Sequence, residues 1–343
     1  MSKYIRVLGA VVLLALVAWR TDWEHVAAAF SRMRPGYFLA AVLLYLCAQV
    51  VSGLRWRLLA RAQGFDGSRL RYIAYTFIGN FFNLALPTSV GGDVVRVWYL
   101  SGQAGAGPSS GRRIAALVSV LAERVNGVAV LVLLACVSAV CCPVPLPQWV
   151  LWTVAAVGAA TTIGLLAAPA LWALFAGYPR LATDPKVAHL RRLAEGGWSY
   201  SGQPGVLVVA TLQSVVVQIF GAFTGYLVGE SLGLPVPPLY YGLIIPLVAL
   251  LTLVPISLNG MGLREAGFVV LLAPLGVDAG EAVTFALLLF VVGASVGLIG
   301  AGFYFWGGYP RYLRQAKQNA ATDGRPPTLA VSTTLGNTNA AST

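Results

Sequence analysis

The sequence predicts an all-α polytopic membrane protein with about six full transmembrane helices and two broken or re-entrant helical hairpins. An inverted-topology repeat is the candidate relation between its halves. Three observations predict this class. Of 343 residues, 58% are hydrophobic and only 10% are charged, proportions suited to lipid rather than water. Several apolar runs reach the roughly 20 helical residues that cross a hydrocarbon core about 30 Å thick. Two further runs are each interrupted by a cluster of Pro, Ser and Gly, and then resume.

Taken in order, the first expected crossing is Ile5 to Trp19 with its flanks. Lys3 and Arg6 precede it as they would a signal peptide. No convincing small-x-small cleavage site precedes Arg20 to Glu24, so a retained helix is expected. Tyr37 to Leu54 is the second crossing. Tyr72 to Leu86 then breaks and resumes as Val94 to Leu100. Ile114 to Val140, Trp149 to Phe175 and Val206 to Val228 are full crossings. Leu239 to Val254 breaks and resumes as Ala266 to Leu275, and Ala282 to Trp306 is the last crossing. Residues 1–310 read as a single transmembrane domain, with 176–204 as a cytoplasmic loop inside it. Within that loop Lys186 to Leu193 reads equally as a short interfacial helix or as solvated chain. Residues 311–343 turn to Ala, Thr, Asn and Pro and are expected to be a disordered cytoplasmic tail.

The 23 Lys and Arg against 12 Asp and Glu, a net charge of +11, lie in short stretches between apolar runs. That placement suits anionic lipid and the setting of orientation, and argues against a nucleic-acid partner. Arg55, Arg57, Arg61, Arg69 and Arg71 mark one cytoplasmic loop; Arg180, Lys186, Arg191 and Arg192 mark another; Arg311, Arg314 and Lys317 follow the last span. Cys141 to Gln148 and Glu230 to Pro238 carry no Lys or Arg and fall outside. Both termini are therefore expected in the cytoplasm of a cell with this chain in its inner or plasma membrane. On this orientation one broken hairpin enters from each face. Cys47, Cys136, Cys141 and Cys142 build neither a disulfide scaffold nor a metal site, and His25 and His189 match no zinc motif. No metal, cofactor or nucleotide loop is expected.

The chemistry concentrates at the two breaks: Leu-Pro-Thr-Ser-Val-Gly-Gly-Asp-Val-Val-Arg at 86–96, and Val-Pro-Ile-Ser-Leu-Asn-Gly-Met-Gly-Leu-Arg-Glu at 254–265. Pro87 and Pro255, Ser89 and Ser257, Gly92 and Gly260, and Arg96 and Arg264 all share one spacing along the chain. That common spacing suggests duplication, although chance matching is the competing account in a chain with 38 Gly and 19 Pro. Pro87 and Pro255 are the expected structural helix breaks, and the glycines permit unusual backbone angles. Broken helices expose backbone groups that protein, water or ligand must satisfy in a membrane. Helix starts near Arg96 and Arg264 would favour a phosphate or another headgroup.

Candidate substrate contacts are Asn83, Ser89, Gly91, Gly92, Asp93, Arg96, Glu123, Arg124, Asn126, Ser257, Asn259, Gly260, Gly262, Arg264 and Glu265. Asp93 and Glu265 either pair with their neighbouring arginines or attract a cationic headgroup. Glu123, roughly 15 Å past Arg113 at about 1.5 Å per residue, reads as a headgroup contact or proton carrier, or as a structural partner of Arg96 or Arg264. Adjacent helix residues diverge, so Glu123 and Arg124 should not pair mainly with each other. Asn80 and Asn83 read as substrate contacts or as caps of the broken helix. Arg55, Trp56 and Arg57 read as interfacial anchors and phosphate contacts. Tyr37, Trp149, Trp198, Tyr240 and Trp306 read as ordinary interfacial anchors.

The cluster Asn83, Pro87, Gly91, Gly92, Asp93 and Arg96, the pair Glu123-Arg124, and the run from Pro255 to Glu265 together resemble the lysylphosphatidylglycerol synthase transmembrane region, a flippase-like integral-membrane family. Arg55-Trp56-Arg57-Leu58-Leu59 is similar to its early motif. The resemblance spans roughly residues 5–306. It implies a translocator moving a polar or anionic lipid between leaflets, such as an aminoacylated phospholipid or a polyprenyl-linked lipid. It implies a stand-alone carrier, more a transporter than an enzyme, with membrane lipids as partners and a homo-oligomer or separate lipid-modifying enzyme as further candidates. An integral-membrane transferase using Asp93, Glu123 or Glu265 as base is the alternative, and its catalytic residues are unknown.

Overall fold

A computed structural model describes residues 31, 33–85, 91–102, 110–142, 144–176, 185–253 and 260–306. Among these the chain is all-α: α1 Pro35–Ala62, α2 Arg69–Ala85, α3 Gly91–Ser101, α4 Ser110–Cys141, α5 Gln148–Ala176, α6 Pro185–Trp198, α7 Pro204–Leu232, α8 Pro238–Leu253, α9 Leu263–Leu272 and α10 Ala279–Trp306. Short 3-10 turns, Ser199–Gly202 and Ala273–Leu275, follow α6 and α9. Five helices, α1, α4, α5, α7 and α10, are long and apolar enough to cross a membrane. They coincide with five of the six expected crossings; Ile5 to Trp19 and the tail 311–343 lie outside the described residues. The protein is an all-α, multi-spanning membrane protein.

Local chemistry explains the ends. Proline opens α1, α7 and α8, where its missing N–H is no loss and its fixed φ suits the first turn. Gly233 closes α7 at φ 69°, and the Leu234 N–H reaches back to the Gly229 carbonyl at 3.0 Å, a left-handed cap that few other residues adopt without strain. Both broken runs contain two helices, α2 and α3 in the first and α8 and α9 in the second; residues 86–90 and 254–259, where the breaks were expected, lie outside the described residues. Residues 185–198 are helical, which decides between the two readings of that loop.

The packing has a reciprocal pattern. Helix α1 lies most extensively against α7. The pair is antiparallel: the Arg34 N–H donates to the Ser231 carbonyl at one end, and the Tyr200 hydroxyl donates to the Leu59 carbonyl at the other. Helix α2 packs on α10 and α3 on α4, while α8 packs on α4 and α9 on α10. The starts of α1 and α7 (Pro35 and Pro204), of α2 and α8 (Arg69 and Pro238), and of α4 and α10 (Ser110 and Ala279) are equally far apart in the chain.

Small residues permit these approaches, as in membrane bundles generally. A Cβ on Gly92 would collide with the Gly79 carbonyl, and one on Gly300 with the Phe77 carbonyl, so α3 and α10 both lie directly on the α2 backbone. The largest buried apolar cluster joins α8, α9 and α10, with Tyr240, Tyr241, Phe268 and Phe285 at its centre. Tyr240 is 1% exposed and its hydroxyl donates to the Leu271 carbonyl. The expectation of an interfacial anchor therefore fails for Tyr240, because its hydroxyl is satisfied inside the bundle. Tyr37, Trp149 and Trp198 are surface-exposed.

Candidate functional site

Glu123, in the first half of α4, is 2% exposed. A bare carboxylate at such a position is costly, and three donors from two other helices satisfy it. The Arg55 guanidinium donates at 3.0 Å and the Ser52 hydroxyl at 2.9 Å to the same oxygen, Oε1. The Arg96 Nη2 donates to Oε2. Arg55 and Arg96 are each 6% exposed. The Arg96 guanidinium also lies 4.1 Å above the ring of fully buried Trp56, a cation–π contact, and the Trp56 indole donates to Ser119 at 3.2 Å.

Asp93 and Arg124 complete this network. Arg124 grips Asp93 through two bonds of 2.9 Å, a bidentate geometry particular to guanidinium and carboxylate. Asp93 lies a further 3.4 Å from Arg96. Glu123 and Arg124 thus take separate partners, as their adjacency on a helix required. Asp93 has its main bond to Arg124 rather than to its neighbour Arg96.

A cavity of about 290 Å³ opens beside these charges, lined by Asn83, Arg96, Glu123 and Arg124 with Tyr45, Gln49, Ser52, Arg55, Thr76 and Gln218. A second, of about 410 Å³, adjoins it through shared wall residues Tyr45, Asn80, Asn83 and Ala249. Arg264 lines the second, with Thr224, Thr252, Val292 and Gly293. Arg264 stands 5.4 Å from the Phe290 ring. Among the described residues it has no ion pair, and its buried Nε has no hydrogen-bond partner. The adjacent Glu265 turns away: its Oε2 accepts the Gly262 N–H at 2.6 Å, capping α9 at its first turn.

Other expected contacts have different placements. Asn83 accepts the Gly92 N–H at 2.8 Å, and Asn80 donates to Gln49 at 2.9 Å, so each both braces the fold and lines the cavities. Asn126 lines neither cavity; it bonds Thr211 at 2.8 Å and accepts from Ser214, tying α4 to α7. Gly91 and Gly92 begin α3. Gly260 and Gly262 have φ of 77° and 81° and form the turn into α9. Pro87, Ser89, Pro255, Ser257 and Asn259 lie outside the described residues.

The sequence reading placed Arg55 at the interface; instead it is buried against Glu123 and donates to Ser214 at 2.7 Å. The signal that would have found it is a polar stripe on an apolar helix. Tyr45, Gln49, Ser52 and Arg55 recur every three or four residues, as do Thr211, Ser214, Gln218 and Thr224 with one gap, a spacing that keeps each set on one helical face.

Comparison with known proteins agrees with this architecture. The family described as lysylphosphatidylglycerol synthase TM region matches residues 4–300. The UPF0104 membrane protein PH1989 of Pyrococcus horikoshii is 25% identical over 126 residues, covering 36% of each chain. The alignment therefore spans about a third of that relative's length. The matched family is a membrane region, distinct from the catalytic synthase domain and transporter-like rather than enzymatic. The chain belongs to the lysylphosphatidylglycerol synthase transmembrane-region family.

Proposed function

We propose that this protein translocates a polar or anionic lipid between leaflets, with the two adjoining cavities as its headgroup path. The observation that carries the proposal is the location of those cavities: they lie between two broken helix pairs, lined by charged and amide side chains in an otherwise apolar bundle. Polar surface in the interior of a membrane bundle is costly and marks a substrate path. An almost wholly apolar hollow of about 430 Å³ borders the larger cavity through Val248, which offers a lipid tail a place beside a headgroup.

The halves are read as an inverted repeat. Supporting this are the equal spacing of paired helix starts, the reciprocal packing of the broken pairs on α4 and α10, and the antiparallel α1–α7 contact. From the start of α1 to the start of α7 the described residues make three crossings, α1, α4 and α5, an odd number that turns the second half over relative to the first. With the basic loops inside, both termini are cytoplasmic and α2–α3 enters from the cytoplasmic face while α8–α9 enters from the other. Alternating access would then rock one half against the other around the shared cavity wall. The transmembrane domain spans 1–310, with Asn83, Arg96, Glu123, Arg124 and Arg264 as the expected contacts that line the cavities.

Leaflet-resolved movement of headgroup-varied lipids in proteoliposomes tests the proposal. Wild-type protein is expected to accelerate one lipid class, and Arg264→Ala to slow it at least tenfold while inserting normally. Unaccelerated movement of every lipid by folded, inserted wild-type protein would remove the translocator reading.

A further inference from the structure

We infer that the Arg264 cavity is the anion-holding half of the site and takes the phosphate-ester anion of a net-negative lipid headgroup, whereas in the Arg96 half the arginines are tied to the chain's own carboxylates. The inference deepens the translocator reading and rests on it for the lipid, though not for the anion.

The helix pairs whose starts are equally spaced set a correspondence between the two halves. Carried along those pairs, Ser52, Arg55, Glu123 and Arg124, which line the smaller cavity, correspond to Gly221, Thr224, Val292 and Gly293, which line the larger one. Arg96 corresponds to Arg264 in the two break motifs. At these positions the charged groups Arg55, Glu123 and Arg124 have the neutral counterparts Thr224, Val292 and Gly293, while an arginine is kept in both break motifs.

Two consequences follow. The smaller side chains leave more room, about 410 Å³ against about 290 Å³, within the range of about 300–1,000 Å³ typical of ligand sites. The charge is also left open. Arg96 is held by Glu123 and Asp93, but the position matching Glu123 is Val292, 1% exposed. Glu265 is engaged at the start of α9, and residues 254–259, Val-Pro-Ile-Ser-Leu-Asn, hold no acid. Thr224 is 2% exposed and its hydroxyl, lining the same cavity, has no hydrogen-bond partner among the described residues. A guanidinium with no ion pair among the described residues and an unused hydroxyl, lining one cavity, form a site for a phosphate oxygen. A zwitterionic headgroup would bring a cation that finds no carboxylate there.

The test is equilibrium binding to purified full-length protein in an uncharged detergent, with dihexanoylphosphatidylglycerol, dihexanoylphosphatidylcholine and inorganic phosphate as probes. Wild type is expected to bind the glycerol lipid at least tenfold more tightly than the choline lipid. Arg264→Gln should abolish that preference. Val292→Glu, which supplies the missing carboxylate, should weaken the glycerol lipid at least tenfold relative to Val292→Gln, which matches it in size without the charge. Where the Val292 variants do not fold, the loss of preference in Arg264→Gln decides.

Equal binding of both lipids, or a preference unchanged in Arg264→Gln, would overturn the inference. Binding of inorganic phosphate but of neither lipid would overturn its lipid assignment. Arg264-dependent lipid binding by a protein that moves no lipid would uphold the inference and remove the translocator reading instead.

Discussion

The two cavities share a wall but treat their arginines in opposite ways. Around Arg96 the charges are internal and mutually satisfied: Glu123 takes Arg96 and Arg55, and Asp93 takes Arg124. Around Arg264 the cavity wall carries Gly221, Thr224, Val292 and Gly293. One half is therefore a structural joint linking α1, α3 and α4, while the other keeps a charge available. The difference teaches that a shared motif does not imply a shared role. A break motif ending in arginine occurs twice, and the side chain facing each arginine from a distant helix decides whether it braces the fold or awaits a ligand.

This contrast can be broken most severely at Glu123. Replacing it by Gln strands Arg55 without a counter-charge and leaves Arg96 only Asp93 at 3.4 Å, and loss of one partner of a buried ion pair costs about 3–5 kcal/mol. The expected outcome is a large fall in detergent melting temperature and in yield. Arg96→Gln should cost less, about 1.5–3 kcal/mol for its charged hydrogen bonds, because Glu123 keeps Arg55 and Ser52; its melting temperature should fall between wild type and Glu123→Gln.

Arg124→Gln removes a bidentate bond whose arginine side chain is 47% exposed. Against 7% for the Arg96 side chain, that exposure keeps its expected cost below that of Arg96→Gln, readable as a smaller fall in melting temperature. Smallest in stability is Arg264→Gln, expected within about 0.5 kcal/mol of wild type because no ion pair among the described residues is lost. If Arg264→Gln were as destabilising as Arg96→Gln by the same thermal measurement, the division between joint and open charge would fail.

The amino-acid sequence determined the class and five of the crossings by itself. Lipid demands that every backbone polar group be satisfied within the helix, so long apolar runs such as 114–140 and 206–228 have few alternatives, and Pro-Gly clusters interrupt them visibly. The separate directions of Glu123 and Arg124 were also legible, because helical geometry sets them. Arg55 was not: beside Arg57 and Arg61 it reads as part of a basic cytoplasmic loop, and only the approach of α4 and α7 turns it into a buried partner of Glu123 and Ser214.

Asn126 shows the reverse case, a polar residue whose face meets Thr211 rather than either of the two polar cavities. Tertiary structure alone decided these cases, because charge pairing between helices depends on which faces meet across 68 or 85 residues of chain. The matched positions of Arg96 and Arg264 in the two break motifs were present in the sequence from the start. That Glu123 faces the first and Val292 lines the cavity of the second became visible only once α4 and α10 were packed against the broken pairs.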